Sequence, residues 1–349
     1  MYSKYVINGV QQDLVPAEIL SDCGQSPFED DGLVHEPIVD ETPEPSLTAL
    51  DVNPEKINEY LAKVSGAKHG LSLLYSDIYT RQRVALALID TLWKDGDFRL
   101  EDLSLDAEWK WADLGIGSMA SFYNSVSSAA EYIDGLFLRL RSYRFEGTKK
   151  ECGVSFKVAS DKKISSSPLV PSTLKADKGS WIVYIPFENC PYRLGGSLLQ
   201  QELGIAGGIV PKIGDADYFM DCYEVVRELV EDGVVMSAVS VCDGGLLNAL
   251  KKMTTSRTGA QIDVSGIMRS VEETNSARIL FAEIPGVIIQ IADVDFDYLD
   301  AELLLQDVAF FPLGHPVPGG DIRVNAGIKT GIQTILESLM LSQGAEGED

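Results

Sequence analysis

The stretch SVCDGGLLNAL carries the residues best suited to chemistry in this chain. Ser240, Cys242 and Asp243 directly precede a glycine pair, Gly244 and Gly245, between an apolar run and a predicted helix. Glycines there let backbone N–H groups approach a phosphate, and a helix N-terminus adds partial positive charge. Asp-Gly-Gly is equally ordinary turn chemistry that caps the next helix. Both interpretations, an anion-binding loop and a structural turn, stay open.

A second loop, in LGGSLLQQEL, has the same arrangement. Gly195 and Gly196 precede Ser197 and a predicted helix. The histidines offer less, because His35 and His69 have no carboxylate or cysteine at helical spacing that would indicate a metal site or a general base.

The bulk composition excludes several classes of protein. The 349 residues carry a formal charge of −24, which repels nucleic acid. No apolar run reaches the ~18 to 20 residues of a membrane-spanning helix, and the N-terminus lacks a secretory signal. Five scattered cysteines without a CxxC pair predict reduced thiols. We therefore expect a cytoplasmic protein without nucleic-acid or membrane partners.

Secondary-structure signals predict a mixed α/β (α+β) fold. NPEKINEYLAKVSG and YTRQRVALALIDTLWKDG predict helices, and a long helix is expected from Ser118 to Arg139. The second half alternates strands such as WIVYIPF, VVMSAVSV and GVIIQIAD with helices such as DYFMDCYEVVRELVEDG. Such alternation indicates layered sheets and helices.

Taken in order, several segments resemble a known family. RLGGSLLQQELG, VSVCDGGLLNALKKM and LFAEIPGVIIQI, together with LDAEWKWADLGIG, resemble the C-terminal half of the synthetase region of formylglycinamidine ribonucleotide (FGAM) synthase. That enzyme belongs to the AIR synthetase-like superfamily. The resemblance covers about residues 85–349.

The resemblance implies an AIR synthetase-like architecture with a shortened N-terminal subdomain. We expect an acidic, proline-containing arm over 1–52, this subdomain over 53–175, a C-terminal α/β subdomain with a mixed sheet over 176–342, and a disordered tail over 343–349. It also implies ATP or ADP with Mg²⁺ as cofactors, and a second AIR synthetase-like half as partner, from a homodimer or another chain. In this family Glu283 is the kind of residue that contacts a ligand or a lysine; the alternative is a surface or capping carboxylate.

The departures from the family pattern concern its charged groups. Where the family has His-Asp-x-Ser-Asp-Gly-Gly, Ser240 replaces the metal-binding aspartate and Cys242 replaces the serine. Hydroxyl and thiol groups are poor Mg²⁺ ligands, because Mg²⁺ prefers charged or strongly polar oxygens. The phosphate-facing lysine is lost or shifted to Lys162. Only Asp77 and Asp90 stay as weak candidates for the remaining metal ligands.

These features lead to one main hypothesis and three alternatives. The main hypothesis is a degenerate FGAM synthase-like half that acts in purine biosynthesis as a structural or regulatory partner. The alternatives are a non-catalytic module that binds a small purine-related ligand, an active ATP-dependent subunit that works with a separate glutaminase, and an interaction protein whose acidic arm (13–45) docks onto a basic partner.

Overall fold

The computed structural model describes most of the chain. The described residues are 4–24, 54–94, 98–114, 116–160, 168–205 and 208–326. The predicted tail (343–349), His35 and Lys162 all lie outside the described residues.

A six-stranded mixed sheet forms the larger of two principal layers. The strands are β6 (Trp181–Pro186), β7 (Val235–Val241), β8 (Thr258–Asp263), β9 (Gly286–Ile291), β10 (Phe311–Pro318) and β11 (Ile322–Asn325). Their order in the sheet is β11-β8-β10-β6-β9-β7, with β11 parallel to β8 and every other pair antiparallel.

A three-stranded sheet forms the second layer. Its central strand β3 (Leu103–Ala112) pairs parallel with β4 (Arg139–Thr148) and antiparallel with β5 (Gly153–Ser160). Side chains of β3 alternate between buried and more exposed positions, the pattern of a sheet with one face on the core and one toward solvent. A small hairpin, β1 (Val6–Ile7) and β2 (Val10–Gln11), lies near the N-terminus.

Helices cover both faces of the six-stranded sheet. The described helices are α1 (Pro16–Asp22), α2 (Pro54–Val64), α3 (Ser76–Ile89), α4 (Ile116–Gly135), α5 (Leu198–Glu202), α6 (Ala216–Glu231), α7 (Gly245–Met253), α8 (Ser265–Ser270), α9 (Ser276–Phe281) and α10 (Phe296–Leu305). In the described part of the chain, no helix combines the length and the apolar composition that crossing a membrane requires.

Alternate residues of β6 and β9 face two different hydrophobic cores. Val183 and Ile289 pack with α3, α4, α6 and the inner face of the three-stranded sheet. Ile182 and Ile288 pack on the opposite side with α2, α7, α8 and α9. Strands buried on both faces read as continuous apolar runs, which is why WIVYIP and GVIIQI are so hydrophobic. The sheet thereby fixes α3 on one side relative to α7 on the other.

The mixed α/β expectation is confirmed, and the predicted helices and strands of the second half occur close to their expected places. The helix predicted over YTRQRVALALIDTLWKDG ends at Ile89, before its expected end at Gly96. The helix predicted to run to Arg139 ends at Gly135, and Arg139 begins β4. Phe137, with φ of 54°, makes the turn between them. The division near residue 175 stays a prediction.

Candidate functional site

The two glycine loops converge on one buried carboxylate, Glu283. Its side chain is only 3% exposed. Its Oε1 accepts hydrogen bonds from the backbone N–H of Gly244 (2.7 Å) and from that of Leu198 (2.9 Å), at the start of α7 and α5. Amides at two helix N-termini are favourable donors to an anion. Glu283 therefore takes the role that a bound anion would have between these loops.

The second oxygen of Glu283 accepts from His69. The distance between His69 Nε2 and Glu283 Oε2 is 2.6 Å, and the histidine side chain is 5% exposed. Burial lowers the pKa of His69, but the hydrogen bond and the charge of Glu283 outweigh it, so the pKa is raised. His69 thus supplies positive charge to the loops once protonated.

Asp243 forms a two-pronged ion pair with Arg83 of α3. Arg83 Nη1 donates to Asp243 Oδ2 at 2.9 Å, and Nη2 donates to Oδ1. The guanidinium also lies 4.7 Å from the ring centre of Tyr79, within cation–π range. Burial acts to raise the pKa of Asp243, but the hydrogen bonds and charge of Arg83 have a larger opposite effect, so the pKa lies below its usual value.

Cys242 lies beside this pair. Arg83 Nη2 is 3.7 Å from Cys242 Sγ. Burial raises the pKa of the Cys242 thiol, which keeps it protonated and a poor metal ligand, since the thiolate is the ligating form.

Ser240, near the end of β7, contacts Asp90 at the C-terminal end of α3. Ser240 Oγ donates to Asp90 Oδ1 at 2.5 Å and accepts from Trp93 Nε1 at 3.0 Å. Burial raises the pKa of Asp90, and the Ser240 hydrogen bond offsets part of that rise. Arg83 and Asp90 are seven residues apart, two helical turns, so both face the end of β7.

Two glycines in these loops are required by the protein's own packing. Gly244 has φ of 74° and is the N-cap residue of α7; a Cβ there would lie 2.6 Å from Asn248 Nδ2. Gly196 has φ of 71°, and a Cβ would lie 2.8 Å from the ring of Tyr75. Ser197 caps α5 by accepting from the N–H of Gln200. These conformations need no ligand to explain them.

The remaining candidate residues, Gly195, Gly245 and Asp77, make hydrogen bonds within the protein. Gly195 donates its N–H to the carbonyl of Ile209, and Gly245 donates to the carbonyl of Cys242. Asp77 lies exposed in the first turn of α3, and its carbonyl accepts from Ser128. The structure brings the two glycine loops together with Glu283.

Space beside the Gly195-Gly196 loop is small. A cavity of about 10 Å³ is lined by His69, Tyr75, Tyr79 and both glycines, among others. That is about the least space that admits one water molecule, so a nucleotide would require these side chains to move.

Three ligand atoms could surround a cation here. One atom each from His69, Asp243 and Glu283 lie within 4.8 Å of one another. Reasoning from sequence missed His69 and Arg83, because their partners are 214 and 160 residues away along the chain. The spacing of Arg83 and Asp90 places both on one face of a helix, but it does not indicate which residues they contact.

Comparison with known proteins shows what the chain is similar to. Residues 179–308 match the family model described as AIR synthase related protein, C-terminal domain. About two thirds of the chain resembles FGAM synthase.

Among curated relatives, human phosphoribosylformylglycinamidine synthase is 23% identical over 240 residues, covering 64% of this chain and 17% of the relative. The Schizosaccharomyces pombe enzyme of the same name is 29% identical over 114 residues, covering 33% of this chain and 8% of the relative. The chain thus spans less than a fifth of the length of either relative.

Solved structures show the same fold. Thermotoga maritima PurL, solved in complex with FGAR, superposes with a TM-score of 0.54 at 11% identity, covering 77% of this chain and 48% of that one. PurLQS from Thermotoga maritima gives 0.51 at 14% identity, covering 72% and 40%. At this identity the likeness establishes an AIR synthetase-like fold and nothing further.

Proposed function

We propose that this chain is an FGAM synthase-like protein of purine biosynthesis that acts as a structural or regulatory half and does not carry Mg-ATP in its own glycine loops. One observation carries the proposal: Glu283 holds the N–H groups of Gly244 and Leu198, at the start of both loop helices. A phosphate would have to displace a buried carboxylate, and the two negative charges would repel each other.

The donor set does not fit Mg²⁺. The family's metal-binding aspartate is Ser240 here, and its hydroxyl is shared with Asp90 and Trp93. The aspartate that is present, Asp243, holds a guanidinium on both oxygens. Mg²⁺ demands near-octahedral oxygen ligands close to 2.1 Å, so a hydroxyl and a carboxylate already paired with Arg83 would hold it poorly.

A second AIR synthetase-like half is part of the same proposal. It follows from the resemblance to FGAM synthase, which implies a second copy or another chain as the partner. Light scattering over a hundredfold concentration range tests the homodimer. A mass that stays at 38 kDa would leave only a different partner chain.

Calorimetric titration of the wild-type chain with ATP and ADP, each with and without Mg²⁺, tests the loss of the cofactor. We expect no Mg²⁺-dependent heat of binding. Asp243→Asn is the matched control, because it removes the loop carboxylate at nearly constant volume. Mg²⁺-dependent, one-to-one ATP binding that disappears in Asp243→Asn would sink the proposal and favour an active subunit. Nucleotide binding without Mg²⁺ would favour a sensor module.

A further inference from the structure

The two carboxylates at the glycine loops both have partners within the protein. Asp243 and Glu283 bring two carboxylates close together, with ligand atoms that lie within 4.8 Å of each other and of His69. Two carboxylates this close repel unless positive charge lies between them. Arg83 supplies a permanent positive charge to Asp243, while Glu283 is bound by two backbone N–H groups and by His69.

Arg83 is held firmly in this position. Both of its terminal nitrogens donate to Asp243, and its guanidinium lies over the ring of Tyr79. Its side chain is only 15% exposed. A planar guanidinium that binds a carboxylate through two nitrogens has a fixed geometry, much as a metal ion does.

We propose that Arg83 is a built-in substitute for a divalent cation: it neutralises Asp243 and thereby keeps a metal ion out of the group His69, Asp243 and Glu283. This inference rests on the proposed function, because it explains how the loop dispenses with a metal. A divalent ion bound by these three groups would lie within a few ångström of the guanidinium, and the two cations would repel each other strongly in a site with little water.

The group formed by His69, Asp243 and Glu283 favours particular metal ions. One imidazole nitrogen and two carboxylate oxygens suit Mn²⁺, Fe²⁺ or Zn²⁺ better than Mg²⁺, which favours oxygen ligands alone. Removal of the positive charge of Arg83 should therefore create a first-row transition-metal site. It should not restore Mg-ATP binding.

The variant Arg83→Met tests this, since methionine keeps much of the side-chain length and loses the charge. The probe is Mn²⁺ alone, without nucleotide, measured by calorimetry and by the loss of the free Mn²⁺ signal in electron paramagnetic resonance. We expect Arg83→Met to bind one Mn²⁺ at least tenfold more tightly than the wild type. Arg83→Lys keeps the charge and should bind Mn²⁺ no better than the wild type.

The double variant Arg83→Met with Asp243→Asn should lose the gained affinity. The inference is overturned if Arg83→Met folds but binds Mn²⁺ no more tightly than the wild type. If Arg83→Met does not fold alone, refolding from urea with and without Mn²⁺ decides the matter. Rescue by Mn²⁺ supports the inference, and its absence refutes it.

The two proposals fail separately. Mg²⁺-dependent ATP binding by the wild type would end the proposed function whatever Arg83→Met does. Failure of Arg83→Met to gain Mn²⁺ affinity would end the role of Arg83 and leave the wild-type nucleotide result untouched.

Discussion

Two arginine–aspartate pairs of the same chemistry lie in different surroundings. Arg83 and Asp243 meet at the glycine loops, where the side chains are 15% and 31% exposed. Arg141 and Asp106 meet on the outer face of the three-stranded sheet, where the exposures are 58% and 23%. Both arginines bind through two nitrogens. We expect the Arg83 pair to contribute more to stability than the Arg141 pair, because water screens the exposed guanidinium of Arg141 more strongly.

The outer sheet face as a whole is polar. Glu108 lies near both Lys110 and Arg144, and Arg144 also approaches Glu146. Such exposed pairs contribute little to stability. The glycine loops are the opposite case: their few charges are buried or half-buried, and each has a specific partner.

The largest expected effect comes from Glu283→Ala. It leaves two backbone N–H groups and His69 without their acceptor inside the protein, which we expect to cost about 3–5 kcal/mol of unfolding free energy. Urea denaturation measures it. Glu283→Gln keeps one acceptor oxygen and should lose markedly less. A loss under about 1 kcal/mol in the alanine variant would show that the loops do not depend on this carboxylate.

Next in size is a comparison of two left-handed glycines. Gly244→Ala should cost about 2–3 kcal/mol, because positive φ strains an alanine and its Cβ would collide with Asn248. Gly9→Ala has a similar φ of 83° with open space around it, so only the strain of about 1 kcal/mol remains. Thermal melting of both variants separates strain from collision. Equal losses would contradict the packing explanation for Gly244.

Glu188 extends the comparison to a buried carboxylate bound by backbone amides. It accepts from the N–H groups of Gly214 and Asp215, and burial raises its pKa to about 7. Since the folded pKa lies above the unfolded one, the folded state binds the proton more tightly, and stability falls as pH rises from about 4.5 to 7. We expect Glu188→Gln to remove about 2 kcal/mol of this pH-dependent decrease in the free energy of unfolding. Parallel pH slopes of wild type and variant would contradict it.

The smallest effect is the coupling within the exposed pair. Double-mutant cycles to alanine should give about 1–2 kcal/mol between Arg83 and Asp243, and about 0.3 kcal/mol between Arg141 and Asp106. The second value should vanish in 1 M salt, where screening is strong. Equal coupling energies in the two cycles would refute the role assigned to burial.

The sequence predicted the apolar strands and most helices because their patterns are local. WIVYIP and GVIIQI have the continuous hydrophobicity of strands buried on both faces. Strand β4 escaped notice, since RLRSYRFEGT lies at a sheet edge and is mostly exposed. Without a regular apolar alternation, nothing in that segment distinguished it from the end of the preceding helix.

What the sequence determined by itself was the mixed α/β fold class, the resemblance to FGAM synthase and the residue types of the two glycine loops, with Ser240 where the family pattern has an aspartate. Glycine loops, helix caps and apolar periodicity are properties of neighbouring residues, so they can be read along the chain. Only the tertiary structure decided which groups meet at these loops. Arg83 and His69 reach Asp243 and Glu283 across more than 150 residues, and such contacts exist only once the sheet has fixed the helices on either side of it.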